Sequence, residues 1–351
     1  MKGPFSKKAK KDLIRTFVKR VAPLTNYHLP LSMIRTIDVE PIAVCDLKCE
    51  FCQVPGWDRA KNTKAMSLDL FKSVIDQFPN LYQIKLQGMG EPFLNKNLVH
   101  MIQYATKKNI LTDTTTHGGR LNSKLIKQII DSELDFIDFS FDGAKKETYE
   151  KARVNSIYEK VVGNISELCA EKKKLNSKLR TRMVCLISDN QILKEIPDLV
   201  LLGKTVGIDA IHIKGRIKNW EKLQDGKYSF TTNYMDEDNT FNEIMLESQK
   251  IAFEADIKFT FGTSGQSYSK NNPCRWPWRS LYISTEGKIV PCCVVGVPET
   301  WNMGSLAETP LKEIWNNDAY VNLRKQFSLH SRGKIQNSNL NKLCESCYFS
   351  G

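Results

Sequence analysis

The stretch CDLKCEFC, residues 45–52, places three of the chain's ten cysteines within eight residues. Cysteine thiolates are the usual protein ligands of iron–sulfur clusters, and a cluster with four irons has four positions to fill. Three thiolates from one loop leave one iron without a protein ligand and open to another molecule. The spacing C-x3-C-x2-C therefore favours a metal centre with one open coordination position.

A closed structural zinc site is the alternative for these cysteines, but it needs a fourth cysteine or histidine nearby. The nearest histidines, His28 and His100, lie in unrelated segments. The start, MKGPFSKKAKKDLIRTF, lacks a secretory signal, and no run of eighteen apolar residues predicts a transmembrane segment. We therefore expect a cytoplasmic protein with reduced thiols, in which the cysteines bind metal or take part in catalysis.

Outward from this loop, strand-like and helix-like segments alternate between residues 36 and 215. Six segments rich in apolar and β-branched residues are predicted as strands: RTIDVEPIAV, YQIKLQG, ILTDTTT, DFIDFSF, TRMVCLI and DAIHIKG. Because parallel strands need helical crossovers, this alternation predicts an α/β fold with a partial (β/α)6 barrel of the TIM type. Active sites of such barrels lie in the loops after the strands, and residues 45–52 follow the first strand.

The barrel is one of four predicted parts of the chain. We expect a basic helical extension at 1–35, the barrel at 36–215, a linker and helix at 216–261, and a small α+β domain at 262–351. The linker's helix is predicted near Phe241–Glu254. In the last part, LYISTEGKIV predicts a hairpin that turns at Thr285–Gly287, and a helix is predicted around Leu311–Phe327.

The cysteine loop resembles the signature of the radical S-adenosylmethionine (radical SAM) enzymes, in which an aromatic residue, here Phe51, precedes the last cysteine. The resemblance implies that Cys45, Cys49 and Cys52 ligate a 4Fe–4S cluster whose open iron binds S-adenosylmethionine (SAM). It also implies reductive cleavage of SAM to a 5′-deoxyadenosyl radical, which abstracts a hydrogen atom from the substrate. A flavodoxin- or ferredoxin-type reductant is then the expected electron donor.

Three later segments, each after the next predicted strand, resemble SAM-binding motifs of the same family. GMGEP at 88–92 resembles the glycine–glutamate motif, which implies that Gly90 and Glu91 hold the amino group of the methionine part. TTTHGG at 114–119 resembles the third-strand loop, with His117 in place of the usual asparagine. SFDG at 140–143, followed by YEKAR, resembles the segment that binds ribose and methionine carboxylate, which implies these roles for Ser140 and Arg153.

Five more cysteines lie in the C-terminal part: Cys274, Cys292, Cys293, Cys344 and Cys347. A turn at Gly287 allows Cys274 and Cys292 to approach one site, to which CESC adds two thiolates. This unit resembles the SPASM and twitch extensions of radical SAM enzymes, which implies one auxiliary 4Fe–4S cluster on Cys274, Cys292, Cys344 and Cys347. Zinc on these four thiolates is the alternative. Cys293 has three possible roles: an alternative ligand, a packing residue or a hydrogen-atom donor.

The N-terminal segment carries half of the excess positive charge of a chain whose formal net charge is +12. Leu13, Ile14, Phe17, Val18 and Val21 recur at helical spacing among basic residues, which indicates a basic amphipathic helix. Such a helix either packs on its own domain with a solvated basic face, which we favour, or contacts a membrane surface or an acidic partner.

Three functions are compatible with these patterns. The leading hypothesis is a radical SAM enzyme of oxidoreductase or epimerase type that acts on a small polar substrate, such as a sugar or an aminocyclitol. The second is maturation of a ribosomally made peptide, with the basic helix engaging an acidic leader segment. The third is a metal-binding nucleic-acid module or an RNA-modifying enzyme; it is disfavoured because basic residues are not interleaved with stacking aromatic residues.

Overall fold

The computed structural model describes residues 16–52, 54–56, 65–219, 229–233, 239–262, 274–336 and 344. The strands are β1 Thr36–Val39, β2 Gln83–Leu86, β3 Leu111–Thr116, β4 Phe136–Ser140, β5 Arg180–Leu186, β6 Ala210–Lys214, β7 Arg216–Asn219, β8 Ser229–Asn233, β9 Lys258–Phe261, β10 Ser280–Ile283, β11 Lys288–Val290 and β12 Gly304–Ser305. The α-helices are α1 Leu68–Ile75, α2 Leu98–Lys107, α3 Ser123–Asp131, α4 Lys146–Ala152, α5 Tyr158–Lys174, α6 Asn190–Lys194, α7 Ile196–Val206, α8 Asn239–Glu254, α9 Trp276–Arg279, α10 Leu311–Trp315 and α11 Asp318–Ser331.

One sheet of ten strands organises the described chain, in the order β12-β11-β10-β1-β2-β3-β4-β5-β6-β9. Every pairing from β10 to β9 is parallel, and β11 and β12 continue the sheet in antiparallel fashion. The six predicted barrel strands are confirmed as β1 to β6, with helices between them, and the predicted hairpin is confirmed as β10 and β11.

The sheet extends beyond the six predicted strands at both edges. Strand β9, in the segment predicted as linker and helix, pairs with β6. Strand β10, in the predicted C-terminal domain, pairs with β1, and the hydroxyls of Thr36 and Ser280 lie 2.7 Å apart across this pair. Parts that are separate along the chain therefore share one sheet. A short strand pattern carries no information about its pairing partner, so the sequence predicted neither edge.

The two faces of the sheet differ because successive side chains along a strand point to opposite sides. One face is mainly apolar and packs in the main core against the helices; its fully buried members include Ile37, Val39, Ile84, Leu86, Ile137, Phe139, Met183, Cys185, Ile211 and Ile213. The other face, here called the inner face, is polar and carries Asp38, Lys85, Asp113, Asp138, Arg182 and His212. The inner face is therefore the side of the sheet on which a polar binding site can form.

The helix boundaries follow from local capping. Side-chain oxygens of Ser67, Asn122 and Asp189 accept the backbone N–H groups three residues on and start α1, α3 and α6. The predicted helix around Leu311–Phe327 is wrong as one helix, because α10 ends and α11 begins at Asn316 and Asn317. The Asn317 side chain accepts the N–H of Tyr320 at 3.0 Å and so restarts the helix.

The described end of the predicted N-terminal helix packs on the C-terminal part of the chain. Val18 is fully buried, and its carbonyl accepts a hydrogen bond from the Ser328 hydroxyl at 2.9 Å. The ring of Phe17 meets that of Trp278 edge to face, with centroids 6.1 Å apart. These contacts favour the packing interpretation for residues 16–21, whereas the lysine-rich residues before them lie outside the described chain.

Within the described residues, no helix has both the length and the apolar character that crossing a bilayer requires.

We predict that Asn316→Ala lowers the free energy of unfolding by about 1–3 kcal/mol, as expected for leaving partly buried backbone groups unpaired. The Asn316 side chain accepts the N–H of Leu29 at 2.7 Å and donates to the Leu29 carbonyl at 3.0 Å, so it links the N-terminal segment to α10. Denaturant unfolding of the purified chain measures the change. The control Asn242→Ala, at an exposed helical position, should change stability by less than about 0.5 kcal/mol. Equal stabilities of the two variants would contradict this role.

Candidate active site

The three cysteines of the loop after β1 line one cavity of about 330 Å³. Cys49 is buried, and Cys45 and Cys52 are partly buried. The loop turns tightly, because the N–H of Cys52 donates to the carbonyl of Cys49 at 3.1 Å and the N–H of Leu47 points to the Cys45 sulfur at 3.5 Å. A second cavity of about 360 Å³, between α2 and α3, contains none of the predicted site residues.

Burial keeps the thiols of this loop protonated when no metal is bound. Burial raises the pKa of Cys45 to about 12, and the nearby carboxylates of Glu91 and Asp46 add to the effect. Burial also raises the pKa values of Cys49 and Cys52. Metal binding must therefore displace these protons, and the thiols are poorly suited to act as free nucleophiles at neutral pH. Three thiols facing one cavity fit three corners of a 4Fe–4S cluster.

Gly90 and Glu91 follow β2 and pack directly on the segment that leads into the cysteine loop. A Cβ atom on Gly90 would lie 2.5 Å from the carbonyl oxygens of both Ile42 and Val44, so only glycine fits there. The N–H of Glu91 donates to the Val44 carbonyl at 2.9 Å. The loops after β1 and β2 are therefore held together by backbone contact.

The buried carboxylate of Glu91 joins the ends of β2 and β3. One oxygen accepts from the N–H of Phe93 at 3.1 Å and from the hydroxyl of Thr116 at 2.8 Å. The other accepts from the N–H of His117 at 2.9 Å. Glu91 is only 2% exposed, and these three donors satisfy most of its acceptor capacity.

His117, which stands where the family usually has asparagine, connects the loop after β3 to the cysteine loop. Its Nδ1 accepts from the N–H of Gly119 at 3.0 Å, so in a neutral ring Nε2 carries the proton and donates to Asp46 at 3.0 Å. Arg120 donates to the other oxygen of Asp46 at 2.9 Å. The sequence pattern pointed to His117, but Asp46, next to Cys45, gave no signal of its own.

Ser140 and Arg153 also line the cavity, as predicted, and the carboxylate of Asp142 holds the guanidinium of Arg153. Asp142 is fully buried and accepts from Arg153 Nε at 2.7 Å and from the N–H of Leu186 at 2.6 Å. Arg153 Nη1 lies 3.9 Å from the Cys49 sulfur, and its guanidinium stands 5.3 Å from the centroid of Phe51. Arg153 and Phe51, two of the predicted site residues, therefore lie against each other next to Cys49.

The inner face next to the cavity carries paired charges from successive strands. Lys85 lies 3.2 Å from Asp113, and Arg182 Nε donates to Asp138 at 2.8 Å. Burial raises the pKa of Asp38 to about 6, the attraction of Lys85 only partly opposing it. The alternation of polar and apolar residues in TIDVE, YQIKLQG and AIHIKG is the signal that could have revealed this charged face.

The C-terminal cysteines are only partly described. Cys274, Cys292 and Cys344 are partly buried, and Cys347 lies outside the described residues. Cys293 hydrogen-bonds to Asp38 on the inner face, whereas Cys292 lies close enough to Tyr320 in α11 to influence its charge. Both cysteines follow β11, which ends at Val290, and lie in the turn after the strand.

The C-terminal domain contains buried hydrogen-bond donors that an electron-rich cluster could satisfy. Among the described residues, these buried atoms have no hydrogen-bond partner: Arg275 Nη2, Trp278 Nε1, Trp315 Nε1, Tyr320 Oη, Arg324 Nη2 and Arg332 Nε. All six belong to donor groups, and unpaired buried donors are costly. A thiolate-ligated cluster, whose sulfurs accept hydrogen bonds, fits such a surrounding.

Comparison with known proteins gives two family matches that agree with this geometry. Residues 39–196 match the family described as the radical SAM superfamily. Residues 274–348 match the family SPASM, described as an iron–sulfur cluster-binding domain.

Similar proteins act on different molecules. The GTP 3′,8-cyclase of Aquifex aeolicus is 24% identical over 299 residues, which cover 81% of this chain and 90% of that protein. The PqqA peptide cyclase of Bradyrhizobium diazoefficiens is 20% identical over 259 residues, which cover 71% of this chain and 63% of that protein. The crystal structure of Streptococcus suis SuiB bound to its precursor peptide SuiA matches with a TM-score of 0.65 at 16% identity, covering 90% of this chain and 70% of that chain.

The two matched segments cover most of the chain, and each contains a cysteine set that the sequence singled out. Each matched segment also has a counterpart in the fold: the first runs from the end of β1 through β2, β3, β4 and β5, and the second begins at Cys274. The chain therefore belongs to the radical SAM superfamily and carries a C-terminal SPASM domain.

Proposed function

We propose that this chain is a radical SAM enzyme that modifies a ribosomally made peptide. The proposal that the chain is an enzyme rests on one observation, which is that four sequence motifs line the same cavity. These motifs are the three cysteines, Gly90 with Glu91, the loop of His117, and Ser140 with Arg153. Radical SAM and SPASM domains bind 4Fe–4S clusters and SAM, so both cofactors are those of this chain.

In this proposal each motif at the cavity has one role toward the cofactors. Cys45, Cys49 and Cys52 ligate the first cluster. Gly90 and Glu91 receive the amino group of the methionine part of SAM. A carboxylate has about four acceptor sites, and hydrogen bonds from the chain occupy three of those of Glu91, while His117 Nε2 lies 3.4 Å from its second oxygen. In this proposal the ammonium group of SAM takes the remaining site. Ser140 and Arg153 bind the ribose and the carboxylate.

When bound, the cluster and SAM supply a radical able to take a hydrogen atom from an unactivated C–H bond. The chain's own residues give the cavity an apolar part of its wall. The apolar side chains of Leu47, Met89 and Leu186 line the cavity, and Phe51 covers the guanidinium of Arg153. Asp142 fixes that guanidinium, so that its orientation does not depend on a bound ligand.

A peptide substrate is better supported than the sugar or aminocyclitol that led the sequence interpretation. One similar protein is a peptide cyclase, and one similar structure holds a precursor peptide. The charged inner face also offers partners for peptide amide groups and polar side chains. A nucleotide is the second candidate substrate, because the Aquifex relative is a GTP cyclase.

The C-terminal cysteines complete the proposal. Cys274, Cys292, Cys344 and Cys347 ligate an auxiliary 4Fe–4S cluster that passes electrons, since full ligation by protein leaves no iron open to substrate. A flavodoxin- or ferredoxin-type protein is the proposed reductant. Ten cysteines without need for disulfides suit a reducing compartment, so we propose that the protein works in the cytoplasm.

The first test is SAM cleavage. We predict that Cys49→Ala abolishes formation of 5′-deoxyadenosine under dithionite in the anaerobically reconstituted enzyme, because the first cluster loses a ligand. Chromatography of the quenched reaction measures the product. The matched control is Cys169→Ala, which removes a buried cysteine of α5 away from the cavity and should retain cleavage. Undiminished cleavage by the Cys49 variant would remove the basis of the proposed function.

The second test is the metal content. We predict about eight irons and eight sulfides per reconstituted chain, as two cubane clusters require. Cys344→Ala should lower the iron count to about four by losing the auxiliary cluster, while SAM still perturbs the spectrum of the remaining one. A wild-type chain with four irons and one zinc would overturn the auxiliary cluster and leave the first site intact.

The third test concerns the substrate. We predict that a short precursor peptide encoded beside this protein stimulates 5′-deoxyadenosine formation and is itself changed in mass. Mass spectrometry distinguishes the outcomes, since a cross-link removes two hydrogens, whereas epimerisation in D2O adds one deuterium. The control is the same peptide with its sequence scrambled. Stimulation by GTP and not by any peptide would transfer the proposal to the nucleotide.

A further inference from the structure

The guanidinium of Arg324, in α11, is a buried cation without a carboxylate partner among the described residues. Arg324 is 0% exposed. Its Nε donates to the Pro277 carbonyl at 2.8 Å and its Nη1 to the Tyr27 carbonyl at 3.0 Å, while Nη2 has no partner in the described chain. Carbonyl oxygens satisfy donors but do not neutralise a full positive charge.

Such a cation is costly in a protein interior unless an anion lies nearby. Burial lowers the pKa of Arg324 to about 9, with Tyr320 only partly opposing the shift. Arginine almost never loses its proton in proteins, so the charge has to be balanced by a neighbouring group. The described side chains around Arg324 are aromatic or amide groups, which leaves this balance incomplete.

Two aromatic residues stack on this cation and add further unpaired donors. The guanidinium carbon lies 4.2 Å from the ring centroid of Trp315 and 5.2 Å from that of Tyr320. Both rings are fully buried, and neither Trp315 Nε1 nor the Tyr320 hydroxyl has a hydrogen-bond partner among the described residues. Trp315, Tyr320 and Arg324, here called the donor triad, therefore present three unsatisfied donor groups and one positive charge.

The donor triad lies between the segments that carry two of the proposed ligands. Arg324 bonds to Pro277, three residues after Cys274. Tyr320 lies close enough to Cys292 for the two side chains to interact electrostatically, and Cys274 and Cys344 pack against the core that contains Tyr320. The positive surroundings continue through Arg279, whose pKa is lowered by burial and by the nearby Arg275 and Arg35. An anionic group is therefore expected beside these residues.

We propose that the donor triad supplies the counter-charge and hydrogen bonds for the thiolate-ligated auxiliary cluster and thereby makes its reduction potential less negative. The inference rests on the auxiliary cluster of the proposed function. Reduction adds one negative charge to a cluster, and a nearby cation with hydrogen-bond donors stabilises that charge. Arg324 is thus a residue that tunes electron transfer through the C-terminal domain, beyond holding Pro277 and Tyr27 in place.

The test is a potentiometric titration of the auxiliary cluster followed by electron paramagnetic resonance. The full chain carries Cys45→Ala, Cys49→Ala and Cys52→Ala, so that only the C-terminal cluster contributes a signal. We expect Arg324→Met and Tyr320→Phe each to shift the midpoint potential to a more negative value, with the larger shift in the arginine variant. Arg324→Lys, which keeps the charge, should lie between wild type and Arg324→Met. The control is Lys325→Met, which removes an exposed charge one residue along the same helix.

Each outcome decides between a tuning role and a structural one. Unchanged midpoint potentials in Arg324→Met and Tyr320→Phe, at full cluster content, would overturn the inference and leave the auxiliary cluster in place. If Arg324→Met fails to fold, Tyr320→Phe still decides, because it removes only a hydroxyl that has no described partner. Zinc in place of iron in the parent chain would overturn the auxiliary cluster and this inference together.

Discussion

The carboxylate of Glu91 is the contact on which the candidate site depends. It accepts hydrogen bonds from its own turn and from the end of β3, while its backbone N–H bonds to Val44 before the cysteine loop. Gly90 permits this approach, because any side chain there would meet two carbonyl oxygens. The loops after β1, β2 and β3 are thereby held together, and this contact fixes the position of the cysteines in the loop after β1.

Two groups of buried or partly buried charges lie on the inner face of the sheet and in the C-terminal domain. The inner face pairs Lys85 with Asp113 and Arg182 with Asp138, and the C-terminal domain buries Arg324 among aromatic rings. Burying ions costs free energy, so such arrangements are more readily understood as parts of binding sites than as sources of stability. The two regions are also connected, because β10 pairs with β1 and Cys293 bonds to Asp38.

The motifs were predictable because each depends on residue type and short spacing. The cysteine triplet, GMGEP, TTTHGG and SFDG can be recognised without knowing the fold, and parallel topology then brings them to one edge. The residues that hold these motifs in position could not be predicted from the sequence. Asp46 and Asp142 lie inside or beside motifs but gain their roles only from His117 and Arg153, which are distant in sequence. No local pattern encodes such a pairing.

The sequence by itself determined the six core strands and the helices between them, the two cysteine sets and the family, since these follow from periodicity and from ligand chemistry at fixed spacing. Tertiary structure decided which strands join the sheet at its edges, how α10 and α11 divide at Asn316 and Asn317, and that Cys293 contacts Asp38 of β1. These features depend on contacts between segments far apart in the chain, such as Leu29 with Asn316, and are therefore fixed only when the whole chain packs.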